Sequence, residues 1–259
     1  MLLLFSYTLN LNEKLEYRAK YGPINIGEMF LKVEGLEIIR GIPCYKLRLF
    51  AKGGALGINL YEDFISWVDT QNFRTVKFYK KQIEPGWNYE VTINYYENYA
   101  EYDEIKDGQK YKKTFQIPKN ALDPVALIYI VRFFDLKDTI LLPYHMDGFS
   151  GYAKIFIKRK EKCKWLEFEE DCYAISPILP MDEGKKKEVF GDRGGEIIIS
   201  SSKKIPIKIK VNLIVGSMIG YIVIYANKLP IKDSVKFLSK KLEIKDWVFE
   251  KFSCIFDHL

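Results

Sequence analysis

The stretch that decides the fold is Ile205-Pro206-Ile207-Lys208-Ile209-Lys210-Val211-Asn212-Leu213. Every odd position holds an aliphatic side chain, and most even positions hold a polar one. Because side chains of a strand alternate between its two faces, this pattern predicts a β-strand with one apolar face and one cationic face. The alternation recurs along most of the chain. The sequence therefore predicts a large antiparallel sheet whose apolar face must be covered.

Length and charge narrow the class of protein. The chain has 259 residues, which is enough for one large core, and its formal net charge is +6. The lysines alternate with apolar residues instead of clustering, so they predict solvated strand faces and no nucleic-acid partner. The abundance of Lys, Glu, Ile and Tyr is also compatible with a heat-adapted, thermophile source.

One segment breaks the two-residue period. Asp123 is a good N-cap residue, and Pro124 suits the first position of a helix. Residues 125–134 are almost wholly apolar, with Arg132 as the one charge. A helix that is apolar all round is buried on all sides, so we expect this helix to lie against the concave face of the sheet.

Two further regions complete the predicted organisation. The glycine-rich residues 52–57 predict a loop or bend, and they lack the spacing of a phosphate-binding loop. After Asn227 the composition changes, and residues 228–259 predict a helical C-terminal extension that packs on the sheet or, alternatively, binds a membrane surface or a partner. Residues 12–227 then form a single curved-sheet domain, mainly β, wrapped around one buried helix.

The cysteines and histidines do not predict a metal site. There are four cysteines and two histidines, and no Cys-x-x-Cys pair occurs. Cys163 and Cys172 flank a short acidic stretch that predicts the tip of a hairpin. They either form a disulfide, if the protein is exported, or remain two buried thiols.

The N-terminal sequence does not decide whether the protein is exported. Residues 1–5 are apolar but lack a basic region before them and a small-residue cleavage site after them, so they predict either the remnant of an export signal or a first strand. No stretch approaches the roughly 20 apolar residues of a membrane-spanning helix. We therefore expect no transmembrane segment.

Catalytic motifs are missing from the sequence. Neither Gly-x-Ser-x-Gly nor His-Glu-x-x-His occurs. Asp63, Asp69 and Asp123 could in principle meet in space, but Asp123 already has a predicted capping role. The sequence therefore predicts a protein that is not an enzyme, with no metal and no cofactor.

Several of these segments together resemble one bacterial family. They are the turn Tyr21-Gly22-Pro23-Ile24-Asn25-Ile26-Gly27, the stretch Ser66-Trp67-Val68-Asp69, the Asp123-Pro124 helix that runs into Arg132, and the late strands around Lys203-Lys204-Ile205-Pro206. In this order and spacing they resemble the domain of unknown function 3108 (DUF3108) over residues 12–226. Members usually carry a clear export signal, which this chain lacks, and the acidic stretch between the cysteines replaces an expected glycine turn.

The resemblance implies a fold and a compartment more than a reaction. The family's architecture is similar to the lipoprotein-carrier type, an open half-barrel of antiparallel strands curved around helices. By analogy we expect a non-enzymatic protein of the periplasm or cell envelope that binds a lipid or lipoprotein acyl chain between sheet and helix. The expected ligand-binding residues are Trp67, Arg132, Phe133 and Phe134.

Two alternatives stay open at this stage. The aromatic residues could be plain core packing, and Arg132 could form a structural ion pair. The whole protein could instead be a structural or interaction module with a filled core, which docks a protein partner through its sheet edges or its C-terminal helix. The sequence does not fix the oligomeric state.

Overall fold

The computed structural model describes residues 8–55, 58–84, 86–180, 195–212 and 217–226. The described residues are mainly β-structure, as the alternation predicts. The strands are β1 (Lys14–Tyr21), β2 (Ile24–Ile39), β3 (Ile42–Ala55), β4 (Ile58–Asp69), β5 (Thr75–Glu84), β6 (Trp87–Tyr95), β7 (Tyr99–Lys106), β8 (Gln109–Gln116), β9 (Ile140–Met146), β10 (Phe149–Trp165), β11 (Phe168–Ile178), β12 (Gly195–Ser200), β13 (Pro206–Asn212) and β14 (Ser217–Ala226).

The strands follow one hydrogen-bonded order with two arms. The order is β8-β7-β6-β5-β4-β3-β2-β1-β14-β13-β12-β11-β10-β9, and every neighbouring pair is antiparallel. Strands β1 to β8 form the first arm, strands β9 to β14 form the second, and the β1–β14 pair joins them. The prediction of a large antiparallel sheet is confirmed. The sheet is not closed, because β8 and β9 remain at the two ends of the order.

Short turns connect the hairpins where the sequence predicts them. Gly22 and Pro23 join β1 to β2, and Asp107 and Gly108 join β7 to β8. Both Asp107 and Gly108 have positive φ, at 49° and 81°, which is the conformation that a two-residue hairpin turn requires. The stretch between Cys163 and Cys172 also contains a hairpin tip, as predicted.

The glycine-rich stretch is different from its prediction. Residues 52–55 belong to β3, where Gly53 lies opposite Gly27 of β2, so the predicted loop is wrong at these positions, and residues 56 and 57 lie outside the described residues. The physical reason is close approach of the two backbones. A Cβ at Gly27 would lie 2.5 Å from the Lys52 carbonyl oxygen, and one at Gly53 would overlap the Ile26 carbonyl oxygen. Glycine here lets two strands pack tightly instead of turning the chain.

The predicted helix is confirmed. Helix α1 spans Pro124–Ile130 and continues as one 3₁₀ turn over Val131–Phe133. Asp123 caps it, since its Oδ1 accepts hydrogen bonds from the backbone N–H groups of Val125 at 2.7 Å and Ala126 at 3.0 Å. All but one of the six residues after Pro124 in α1 are buried in the main core.

The sheet curls until its two ends meet through side chains. Tyr102 of β7 and His145 of β9 belong to opposite ends of the strand order, yet the Tyr102 hydroxyl lies 2.8 Å from His145 Nε2. Residues 121 and 122 also bridge the two arms: the Ala121 carbonyl accepts from Thr75 N–H at 3.2 Å, and Leu122 N–H donates to the Pro143 carbonyl at 2.9 Å. One core cluster consequently includes both arms and α1.

Two sequence predictions fall outside the described residues. The C-terminal extension over residues 228–259 lies there, and so do the apolar residues 1–5. Among the residues that the structure describes, no helix has the length and apolar character needed to cross a membrane.

Candidate ligand site on the inner face of the sheet

The inner face of the sheet, which carries the main core, has two ends. At the first, which we call the helix end, α1 packs against β3, β4 and β9. Val33, Leu47 and Val68 are fully buried there. Asp123 fixes the helix to the sheet, because its Oδ2 accepts hydrogen bonds from Ser66 and from Thr75 Oγ1, the latter at 2.7 Å. Burial raises the pKa of the Asp123 carboxyl.

At the other end, which we call the cavity end, one row of paired residues has almost no side chains. Gly220 of β14 pairs with Ala19 of β1, Ala19 pairs with Gly27 of β2, and Gly27 pairs with Gly53 of β3. We call these four residues the floor row. Four neighbouring strands thus leave the inner face empty at the same level, and a cavity results.

The cavity has a volume of about 440 Å³. Apart from the floor row, its lining consists mostly of aromatic, aliphatic and methionine side chains that continue the main core. The described lining residues are Tyr17, Ala19, Tyr21, Ile26, Gly27, Glu28, Met29, Leu49, Ala51, Lys52, Gly53, Gly54, Glu62, Phe64, Ile209 and Gly220. Pockets that bind small molecules commonly have volumes of about 300–1,000 Å³ and mostly apolar walls with a few polar groups.

The mouth of the cavity is identified by its exposed lining residues. These are Tyr21, Glu28, Lys52 and Gly54. Glu28 of β2 and Lys52 of β3 lie opposite each other and form an ion pair, with 2.9 Å between Lys52 Nζ and Glu28 Oε1, and both also line a depression on the outer face. The cavity is therefore an apolar space with a charged, wet opening.

One carboxyl group forms a half-buried part of the cavity wall. Glu62 of β4 lines the cavity, and its Oε1 accepts a hydrogen bond of 2.8 Å from Gln82 Nε2 of β5. Burial raises the pKa of the Glu62 carboxyl, although the Gln82 hydrogen bond and the nearby Lys80 act in the opposite direction. The ionised form is thus short of solvation at this position.

A polar network continues from Glu62 along the inner face of the first arm. Lys80 of β5 is buried and binds Asp147 at 2.9 Å, on the turn that joins β9 to β10. Glu104 of β7 accepts a hydrogen bond from Lys113 at 2.7 Å. In the part of the chain that the structure describes, no group of three His, Cys, Asp or Glu side chains could hold a metal ion.

A second network links β7, β9 and β10 through side chains at the helix end. His145 is fully buried, and its two ring nitrogens lie 2.8 Å from the Tyr102 hydroxyl and 2.7 Å from Ser150 Oγ. Ser150 donates its proton to the Gln116 carbonyl at 2.9 Å. Ser150 Oγ must therefore accept from Nδ1–H of His145, which leaves Nε2 to accept from Tyr102. Burial lowers the pKa of His145 to about 4, which keeps the ring neutral.

Comparison with known proteins identifies the family. A family model described as "Protein of unknown function (DUF3108)" matches residues 16–223, which is most of the chain. The chain belongs to this family. Among curated proteins, none matches the chain. The match places the floor row and Glu62 inside the DUF3108 region, and the family description assigns no ligand.

The DUF3108 fold places Trp67 away from the cavity. Trp67 lies on the outer face in a small separate cluster with Cys44 and Val76. Its indole N–H donates to Glu37 at 2.7 Å, and Lys77 Nζ lies 4.8 Å from the centre of the ring. Trp67 thus packs on the outer face, and its indole N–H has a hydrogen-bond partner.

The other three predicted ligand residues lie at the helix end. Arg132 forms a two-pronged ion pair with Glu13, at 2.6 and 2.9 Å, and both side chains are largely buried. Phe133 and Phe134 pack against the main core, and the Phe133 ring lies 5.5 Å from that of Phe73. None of the four predicted residues lines the 440 Å³ cavity. A role for them in ligand binding stays a prediction.

The three aspartates considered for catalysis are held apart by different partners. Asp63 accepts two hydrogen bonds from Arg48 on the outer face, at 2.7 and 2.8 Å. Asp69 accepts from the backbone of its own turn, including Gln71 N–H at 2.8 Å, and Asp123 caps α1. Each aspartate therefore has a structural role: Asp63 in an ion pair, Asp69 in a turn and Asp123 at the helix cap.

The DUF3108 sheet also has a depression on its outer face, behind the same glycines. Its volume is about 610 Å³, and its described lining includes Arg18, Asn25, Glu28, Lys52 and Tyr61. Because four of its seven described lining residues carry charged or amide side chains, this depression offers an alkyl chain less apolar surface to bury than the inner-face cavity does. The inner-face cavity is the better candidate site.

Proposed function

We propose that this DUF3108 protein is a non-enzymatic binding protein that holds the alkyl chain of a lipid or lipoprotein in the inner-face cavity. The observation that carries the proposal is the floor row. Gly220, Ala19, Gly27 and Gly53 remove side chains from four adjacent strands at one level, on the face that carries the main core. The resulting space is apolar and opens to solvent at Tyr21.

The energetics of such a site are favourable. Burial of a methylene group is worth about 0.8 kcal/mol, so a chain that buries six to eight of them gains roughly 5–6 kcal/mol before the cost of immobilisation. Met29 in the wall adds an adaptable side chain that suits a ligand of variable shape. A wall of this composition selects for hydrocarbon and against polar metabolites.

The architecture supports the proposal by analogy. A curled, open antiparallel sheet with a helix against its inner face is similar to the lipoprotein-carrier type of half-barrel. In that type the acyl chain lies beside the helix, whereas the cavity here lies at the opposite end of the inner face, so the analogy supports a binding role and not the position of the site. The open cavity is also less compatible with the alternative of an interaction module whose core is filled.

A location in the periplasm or cell envelope belongs to the same proposal. The disulfide between Cys163 and Cys172 supports it, with Cα atoms 6.1 Å apart across the β10–β11 hairpin, because disulfides persist in oxidising compartments. Alkylation of the denatured protein without reductant, followed by mass spectrometry, is the test. We expect both cysteines to stay unmodified; modification of both would remove this support.

A matched pair of variants tests the binding function. Ala19→Phe places an aromatic ring in the cavity, whereas Lys20→Phe places the same ring on the exposed neighbouring residue, which does not line the cavity. We expect the purified wild-type protein and Lys20→Phe to bind a fluorescent alkyl probe and to carry co-purified lipid in native mass spectrometry. Ala19→Phe should lose at least about tenfold in affinity.

Two outcomes would contradict the proposed binding function. Equal probe binding by wild type and a folded Ala19→Phe variant would place the probe elsewhere and contradict the proposal. So would the absence of any alkyl binding by the wild type. If Ala19→Phe unfolds, Ala51→Leu fills the same cavity with a smaller side chain and repeats the test.

A further inference from the structure

Glu62 has an unused hydrogen-bonding position in the apolar cavity. Its Oε1 accepts from Gln82, but no described residue donates a hydrogen bond to its Oε2. The nearby cation, Lys80, is engaged by Asp147 at 2.9 Å. Because Oε2 is not one of the buried atoms without a partner, it lies in accessible space, and a donor group of a ligand in the cavity can reach it.

We infer that the ligand carries a hydrogen-bond-donating head, an amine or a hydroxyl, and that Glu62 accepts this group inside the cavity. The inference rests on the proposed function and adds the class of head group to it. The alkyl chain would lie along the apolar wall beside Met29 and Leu49, while the head contacts β4. An alkyl amine or a long-chain alcohol has this chemistry.

The charges around the cavity disfavour an anionic head. A carboxylate or phosphate beside Glu62 would bring two like charges together in a region of low dielectric, where their repulsion is strong. Glu28 adds a second negative charge at the mouth. Lys52 does not offset both carboxylates, since it is already paired with Glu28.

The raised pKa of Glu62 points in the same direction. Burial is its largest cause, so the ionised carboxylate is poorly solvated at this position. A donor from the ligand would supply the missing hydrogen bond.

The test compares three amphiphiles of equal chain length: dodecylamine, dodecanol and dodecanoate. Calorimetry with the wild-type protein at pH 7 should give at least about tenfold tighter binding of the amine and the alcohol than of dodecanoate. Glu62→Gln should weaken dodecylamine by about tenfold and should tighten dodecanoate. The control is Glu90→Gln, the same change at a partly exposed residue of β6 that pairs with Lys81 of β5. It should leave all three affinities unchanged.

The outcomes distinguish a failure of the head-group inference from a failure of the proposed alkyl-binding function. If the wild type binds all three amphiphiles equally, the head-group inference is overturned while alkyl binding in the cavity stands. If the wild type binds none of them, the proposed function fails and the inference fails with it. The wild-type comparison needs no variant, so it decides the matter even if Glu62→Gln does not fold.

Discussion

The helix end and the cavity end of the inner face use the same strands and the same alternation, yet one is filled and the other is open. At the helix end, α1 packs against β3, β4 and β9, and Val33, Leu47 and Val68 are fully buried. At the cavity end, the floor row offers a methyl group or nothing. The difference teaches that alternation determines which face is apolar, whereas side-chain size along a cross-strand row determines whether that face is solid.

The largest expected effect is a loss of stability at the helix end. Asp123→Ala removes the cap of α1 and leaves the hydroxyls of Ser66 and Thr75 without their buried acceptor. A lost cap costs about 1 kcal/mol and each orphaned buried group about 1–3 kcal/mol, so we expect a loss of about 4 kcal/mol in the free energy of unfolding. Urea denaturation measures it. Asp138→Ala, at an exposed position beyond the helix, is the control, and a loss below about 1 kcal/mol for Asp123→Ala would show that the helix is not anchored as described.

The next effect concerns pH and the side-chain network around His145 at the helix end. The pKa of His145 is about 4 in the folded protein, below the ordinary value of 6.5, so unfolding takes up a proton between these values. The contribution is therefore fully present above pH 6.5 and is lost as the pH falls towards 4, by up to about 3 kcal/mol. Urea denaturation at pH 7, 5.5 and 4 should show this loss in the wild type and a smaller one in His145→Gln. Parallel pH profiles for the two proteins would contradict it.

Within the floor row, two glycines should respond differently to the same change. A Cβ at Gly53 would overlap the Ile26 carbonyl oxygen, whereas one at Gly220 would lie 3.8 Å from its nearest neighbour, the Ile209 carbonyl oxygen. Gly53→Ala should cost about 2 kcal/mol of stability because β2 and β3 must separate. Gly220→Ala should change the free energy of unfolding by less than about 0.5 kcal/mol. Thermal denaturation compares the two variants, and similar losses would refute the close approach of β2 and β3.

The smallest expected effect is a gain in stability instead of a loss. Among the described residues, the Tyr129 hydroxyl is the one buried side-chain group without a hydrogen-bond partner. Tyr129→Phe should therefore stabilise the helix end by about 1 kcal/mol. Tyr95→Phe is the matched control, because the Tyr95 hydroxyl donates to the His145 carbonyl at 2.8 Å and its removal should destabilise by about 1 kcal/mol. Equal losses in denaturant unfolding would show that Tyr129 has a partner after all.

Much of the fold could be predicted from local patterns. Alternation located the strands, and the Asp123-Pro124 pair located the helix, because both signals arise from residues close together in the chain. The pair between Arg132 and Glu13 could not be found in this way, since 119 positions separate the two residues. Trp67 was ambiguous for another reason: Ile65 and Trp67 on one face and Phe64 and Val68 on the other are all apolar, so alternation alone does not say which face is inside.

The cavity itself was invisible in the sequence. Its floor depends on which residues of β14, β1, β2 and β3 pair, and a register is a property of two strands together. Gly53 in isolation predicts a loop. Only its pairing with Gly27 shows that both glycines serve close packing and leave space above them.

The most direct measurement of the central claim is a crystal structure of the full chain soaked with a brominated alkyl amine. The account predicts anomalous bromine density inside the inner-face cavity, beside Ala19 and Ala51, with the amine at Glu62. Density only in the outer-face depression near Arg18, or an empty cavity at saturating ligand, would contradict it.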